Sequence, residues 1–345
     1  MNLFSSLTFF NRQIIRLNLN KTYTLPKLKN LNMKSLILSI ITLTIFISCQ
    51  NQKKSTTQEE PFFKLSLAQW SFHRSFKYGG VSPYEFARLA SELGFQGLEY
   101  VSTLYPDVMK SEDKTLAIQA FVEKNNALAL QYKLQNILIM VDDEGDLSTS
   151  IEKERLEAIE NHKLWIEAAH KMGCGAIRLN LHGEDDEESW IKNSISSLEV
   201  LSEYAMPLNV NIIVENHGGN SSNASLLMKV INQVSFDNCG TLPDFGNFCL
   251  SKDWGSLKEN KCDNPYDPYM GVAEMMPKAF GVSAKAYDFD NNGKETILDY
   301  QKLLSIVKKA GYKGFIGVEY EGDHLSEKEG IIATKKLIEK TASNL

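Results

Sequence analysis

The sequence predicts an α/β fold of the (β/α)8 class, a TIM barrel. Three observations carry this. From Phe62 to the end of the chain, apolar β-branched segments alternate with amphipathic helical segments. Eight strand candidates, each followed by a helix candidate, fill residues 62–345, a span near the usual barrel size of about 250 residues. No GxGxxG follows the first strand, which argues against a doubly wound dinucleotide fold.

The elements follow in order. KLSLAQWSF (64–72) reads as the first strand. SPYEFARLASELG (82–94) reads as a helix, with Ser82 as cap, Pro83 in the first turn and Gly94 at the end. FQGLEYV (95–101) is the second strand, and a helix over 112–126 leads to a third strand region within LALQYKLQNILIMV (128–141). KERLEAIENHKLWIEAAHKMG (153–173) is a long helix with an apolar stripe, and CGAIRLNLHG (174–183) is the fourth strand. A helix over 189–205 precedes the fifth, within NVNIIVENHGG (209–219). A helix over 222–233 leads to CGTLPDFGNF (239–248), and a longer connection to AFGVSAKAYDF (279–289). A helix over 296–310, the strand GFIGVEYEG (314–322) and a helix over 326–341 close the chain. SELGFQGLEY (91–100) and KKAGYKGFIGVEY (308–320) share one script of helix end, glycine, aromatic, strand and Glu-Tyr, as repeated units do.

The N-terminus carries a different signal. Met33-Lys34, an apolar stretch of about a dozen residues and the Phe46-Ile47-Ser48-Cys49 ending read as a secretory signal that is too short for a comfortable membrane span. The ending resembles a bacterial lipobox, which implies lipidation of Cys49 and an address on the cell envelope facing the periplasm, with a plain N-terminal membrane anchor as the alternative. Residues 1–32 read as an upstream extension with Met33 as the start, 33–49 as the signal, 50–61 as a polar tether and 62–345 as the barrel. The net charge of -6 and the lack of a basic cluster exclude nucleic acid as the expected partner. Cys174, Cys239, Cys249 and Cys262 show no CxxC spacing, so a structural zinc site is not expected and any disulfide is unassigned.

Period-two alternation sorts the strand residues into faces. Glu215 shares a face with His217, Asn180 with His182, Ser283 with Lys285, and Glu319 with Glu321. Carboxylates then stand at the C-terminal ends of strand two (Glu99), five (Glu215), six (Asp244) and eight (Glu319), where barrels bind ligands. Such a group repels itself unless a cation neutralises it. Hard oxygen donors suit Mn2+ or Mg2+, and an added imidazole widens the choice to Co2+ or Zn2+. DFDNNGKETILD (288–299) loosely matches a calcium loop but lacks its final Glu, and an Asx-rich turn is expected there.

The motifs IVENHGG (213–219), LPDFGN (242–247) and IGVEYEG (316–322) resemble those of the xylose-isomerase-like sugar isomerase and epimerase superfamily, over about Leu65 to Lys340. The resemblance implies a divalent ion on Glu215, Asp244 and Glu319, with the two glutamates moving a proton on opposite faces of a sugar. It departs in strand seven, where Ser283 stands at the place of a histidine ligand while Lys285 remains. Lys285 is then expected to hold a substrate oxygen or balance the carboxylates. His182, His217, Asn180, Glu99, Asn247 and Trp70 are the expected substrate contacts. The leading expectation is a metal-dependent sugar isomerase or epimerase acting through an enediolate. A lyase or hydratase on keto-sugars or glycosides and a non-catalytic sugar-binding lipoprotein are the alternatives. Oligomerisation is left open. Six histidines in the whole chain are too few for the histidine-rich site of the superfamily's DNA endonucleases.

Overall fold

Eight short runs of apolar and β-branched residues form parallel strands. They are β1 (Lys64–Ala68), β2 (Gly97–Val101), β3 (Gln135–Met140), β4 (Ala176–Leu179), β5 (Asn211–Glu215), β6 (Cys239–Leu242), β7 (Val282–Ala286) and β8 (Phe315–Tyr320). The computed structural model describes residues 61–345 apart from 252, 253 and 259–261, so the extension, the signal with Cys49 and nearly all of the tether lie outside the described residues. The strands pair in the order β6-β5-β4-β3-β2-β1-β8-β7. Two isolated parallel bridges, Thr241 with Ala279 and Asp244 with Ser283, join the β6 side to the β7 side and close the ring. The predicted barrel is therefore present.

A helix follows each strand: α1 (Phe86–Glu92), α2 (Lys114–Tyr132), α3 (Glu152–Met172), α4 (Glu187–Ala205), α5 (Ala224–Ile231), α6 (Pro268–Met275), α7 (Tyr300–Lys309) and α8 (Glu327–Ala342). Six of these eight starts are fixed by side chains that take up free backbone donors. Asp113 accepts from Leu116 N at 3.0 Å and Asp186 from Ser189 N at 2.9 Å, while Ser326 and Glu329 form a reciprocal capping box. Among the described residues, no helix is long and apolar enough to cross a membrane.

The structure corrects several boundaries: the first strand stops at Ala68, with Gln69–Phe72 forming a 3-10 turn, and the helix expected over 296–310 begins at Tyr300. The second helix, expected to end at 126, runs to Tyr132, and β3 follows it inside the expected 128–141 region. No glycine or proline interrupts that run, and the helix ends only at Lys133, which adopts a left-handed φ of 57°. The long connection after β6 is tied by a disulfide between Cys249 and Cys262, a pairing that spacing left unassigned. The 288–299 segment is the expected turn. Asp290 accepts from Asn292 N at 2.8 Å and Lys294 N at 2.9 Å, and Glu295 folds inward to accept from Tyr287 N at 3.2 Å and Ile297 N at 2.7 Å.

Alternation along the strands gives the ring two unlike faces. Leu98, Ile177, Leu179, Ile212, Val214 and Val318 are fully buried toward the helices. The opposite set (Ser66, Glu99, Arg178, Glu215, Lys285, Glu319) is also buried and is polar. A barrel interior with that content needs a reason, because each unpaired buried charge costs several kcal/mol, on the order of 3–5.

Candidate functional site

The polar interior rises to a cavity of about 440 Å³ at the C-terminal ends of the strands, lined in part by Trp70, Arg178, His217, Lys285, Glu319 and Glu321. Strand β5 ends at Glu215. One of its oxygens, Oε2, lies 2.8 Å from Arg178 Nε of β4, and the other accepts from Asn247 Nδ2 at 3.2 Å. Strand β8 places Glu319 with Oε1 3.1 Å from Lys285 Nζ and Oε2 accepting from the Ser283 hydroxyl at 3.1 Å. Lys285 also reaches Glu321 Oε2 at 3.0 Å and Asn247 Oδ1 at 3.2 Å. Asn247 thus bridges the Glu215 and Lys285 halves.

The loop after β5 is held by Asn216, buried beneath the site. Its amide donates to the carbonyls of Asp244 and Asn247 and accepts from Asp244 N. Gly246 is required on the β6 side, since a Cβ there would lie 2.5 Å from the Tyr287 hydroxyl. On the rim, the Trp70 indole donates to Glu321, and its ring stacks on His73 at 4.8 Å between centroids.

A second network runs from Arg178 through Asp142 to His217. Asp142 Oδ1 pairs with Arg178 Nη1 and accepts from Asn180 Nδ2 at 2.8 Å. Asn180 therefore turns its carbonyl toward His217 Nδ1, 3.0 Å away, so Nδ1 carries the proton and Nε2 is the basic nitrogen. Trp254 stands edge-on to both His217 (5.0 Å) and His182 (5.2 Å). Beside it lies a second cavity of about 520 Å³ that includes His182 and Asn180 and shares Asp142, Asp143 and Trp254 with the first.

Burial sets the proton affinities here. It lifts Asp244 to about 7 against the opposing pull of Lys285, and it lifts Glu215 well above the usual carboxylate range despite Arg178. It also pushes His217 well below the ordinary imidazole value, with Arg178 and Lys285 acting the same way, so this ring is neutral. Burial opposes the Lys285 charge, but Asp244, Glu319 and Glu321 outweigh it and raise its pKa.

The structure brings Glu215, Lys285, Glu319, Asn247, Asn180, His217 and Trp70 to one mouth, and sets His182 in the adjoining cavity. Glu99 is placed differently. It lies inside the ring below both cavities, where Ser66 donates to its Oε1 at 2.5 Å and its Oε2 is buried with no hydrogen-bond partner among the described residues. Gly317 makes room for it, since a Cβ there would lie 2.4 Å from Oε2. The ordinary glutamate value of 4.5 is raised by burial to about 7 at Glu99. A folded state that holds this proton longer than the unfolded chain has its advantage in full below about 4.5 and loses it as pH rises through about 7, by roughly 3 kcal/mol in all. The Glu99→Gln variant should therefore match wild type at pH 4 and exceed its melting temperature at pH 8. A parallel pH dependence in the two proteins would show that Glu99 does not carry that proton.

Two groups escaped sequence reasoning. Arg178 shares the parity of Asn180 and His182, so the signal was present one step back along the same face. Trp254 sits in a long connection with no periodicity to mark it. Asp244 is fully buried, and its Oδ2 has no hydrogen-bond partner among the described residues. That orphan would welcome a cation, yet the residues do not fit the implied four-ligand centre. Ser283 offers a neutral hydroxyl for the histidine, Glu215 already faces Arg178, and Glu319 already faces Lys285.

Comparison with known proteins agrees with this fold. The C-glycoside deglycosidase alpha subunit of Arthrobacter globiformis is 38% identical over 66 residues, a match that spans only 19% of that protein and 18% of this chain. Among solved structures, the zinc-bound IolI protein superposes with a TM-score of 0.58 at 16% identity, covering 82% of this chain and 99% of that one. D-Psicose 3-epimerase with D-tagatose from Clostridium cellulolyticum H10 gives 0.60 at 13% identity, covering 81% and 99%. The 3-keto-D-glucoside 4-epimerase YcjR from E. coli gives 0.59 at 15% identity, also covering 81% and 99%. The profile of the xylose isomerase-like TIM barrels matches residues 87–341, most of the barrel and its mouth, and the chain belongs to that family.

Proposed function

We propose that this protein is a sugar isomerase or epimerase that moves a proton at a carbon next to a carbonyl. The observation that carries the reading is Glu319, a carboxylate that lines the cavity and is fixed by two neighbours on β7, Ser283 and Lys285. Its oxygen takes the proton, and the C–H electron pair becomes the C=C bond of an enediolate. Glu319 returns that proton to the adjacent carbon for isomerisation, whereas epimerisation draws a proton from solvent on the opposite face. His217 lines the same cavity with a neutral ring, and its Nδ1 lies 3.7 Å from Glu215 Oε2. With its one proton on Nδ1 toward Asn180, His217 offers Nε2 as an acceptor for a sugar hydroxyl, and Glu215 stands behind the ring. The divalent ion implied by the family resemblance has an incomplete donor set here, and the proton moves through the chain's own groups. The lipobox-like Phe46–Cys49 supports an address on the bacterial envelope, where unphosphorylated sugars are the accessible substrates.

The second cavity favours one variant of this reading. It opens beside Trp254, an exposed aromatic suited to stacking on a sugar face. A keto-glycoside would fill both cavities, and a leaving group β to the carbanion turns the same proton removal into elimination. The test is incubation of the full chain in deuterated water with unphosphorylated ketoses and keto-glycosides, followed by NMR and mass spectrometry. Deuterium beside the carbonyl of a stereoisomer or positional isomer is the expected result. Release of the aglycone selects elimination, and a panel with no exchange at all ends the enzymatic reading.

A further inference from the structure

Proton removal beside a carbonyl needs positive charge at the carbonyl oxygen, where the enediolate charge develops. In this mouth the charge is already present in the sequence. Lys285 is buried, and its ammonium has three contacts for three protons: Glu319 Oε1 at 3.1 Å, Glu321 Oε2 at 3.0 Å and Asn247 Oδ1 at 3.2 Å. Arg178, also buried, faces Glu215 Oε2 at 2.8 Å with one nitrogen and Asp142 with another. Both glutamates that a metal would need are therefore engaged by fixed cations. Ser283 takes the histidine's place on β7, and its hydroxyl donates to Glu319 at 3.1 Å. Among the described residues there is no grouping of three or more His, Cys, Asp or Glu side chains arranged to hold a metal ion.

We infer that this chain has exchanged a bound divalent ion for resident cations: Lys285, backed by Arg178 across the cavity, supplies the electrophile, and the mouth holds no stoichiometric metal. An ion seated between Glu215 and Glu319 would have to evict an ammonium and a guanidinium that are each held by two carboxylates. It would also meet their like charge at short range, where little water screens it. Asn247 is the one uncharged acceptor of the three, so its contact is the one a substrate oxygen replaces. As the proton leaves for Glu319, the carbonyl oxygen gains charge against the Lys285 N–H, which stays protonated throughout. The electrophilic role rests on the proposed reaction, whereas the metal-free mouth stands on geometry alone.

The test reads metal rather than turnover. The full chain is exposed to excess Mn2+ or Zn2+, desalted, analysed for bound metal and melted with and without each ion. The expected result is bound metal well below one ion per chain and an unchanged melting temperature. In the variant carrying Ser283→His and Lys285→Ala, which restores the histidine and removes the competing ammonium, Zn2+ should raise the melting temperature by roughly 5 °C at about 100 times its dissociation constant. One equivalent of metal in the wild-type chain, lost in Glu215→Gln, overturns the inference whether or not the double variant folds. A chain that holds such an ion yet exchanges deuterium into a sugar refutes this inference and leaves the proposed reaction standing. A metal-free chain with no exchange does the reverse.

Discussion

Glu319→Gln should lower kcat for solvent-proton exchange by about 10²- to 10⁴-fold, the usual contribution of a positioned base. The substitution is chosen to leave the frame intact. An amide oxygen still accepts from Lys285 Nζ, now 3.1 Å from Oε1, and the other end of the amide can meet the Ser283 hydroxyl, which rotates to serve as acceptor. What disappears is the ability to take a proton. KM should therefore change little while kcat falls, the pattern of an interaction made only as the reaction proceeds. A variant that exchanges protons within about tenfold of wild type moves the base elsewhere, with His217 the first candidate since it lines the same cavity.

The fold was legible because barrel chemistry repeats. Strand, glycine-ended helix and strand recur, whereas the caps Asp186 and Asp299, which set helix starts at Glu187 and Tyr300 rather than at 189 and 296, went unread. The third strand lies within the expected 128–141, but the helix before it reads as ending at 126 for a local reason: Leu128 to Tyr132 are as apolar as a strand, and only the left-handed turn at Lys133 separates the two. In the site, period-two parity found Glu215, Glu319, Lys285 and Asn180. It identified Glu99 as a strand-tip carboxylate without giving its depth, which depends on the room left by Gly317 on a strand more than two hundred residues away. Parity also reached Arg178, but a lone arginine in an apolar strand acquires meaning only when Glu215 and Asp142 are seen against it. The Cys249–Cys262 bond and Trp254 depend on the course of an irregular connection, for which sequence periodicity has no signal.

Arg178→Met is the change expected to cost the most stability, about 3–5 kcal/mol. The methionine keeps much of the volume and removes the charge, so the loss reads the ion pairs rather than a cavity. Glu215 and Asp142 would be left facing each other's network with one shared cation gone, and Glu215 is almost wholly buried. Burial already raises the Glu215 pKa against the pull of Arg178. Without the guanidinium that pKa rises further, and the folded chain escapes part of the penalty by keeping Glu215 protonated. A group whose folded pKa is raised adds stability at low pH and loses it as pH climbs through that value, so the defect of Arg178→Met should widen from pH 5 to pH 8. Adding Glu215→Gln should restore part of the loss, most clearly at pH 8, because the stranded charge is gone. Denaturant unfolding of the wild type, both single variants and the pair closes the cycle. Additive losses at both pH values would mean that Arg178 and Glu215 stand near one another without depending on one another, and the resident-cation arrangement would lose its structural footing.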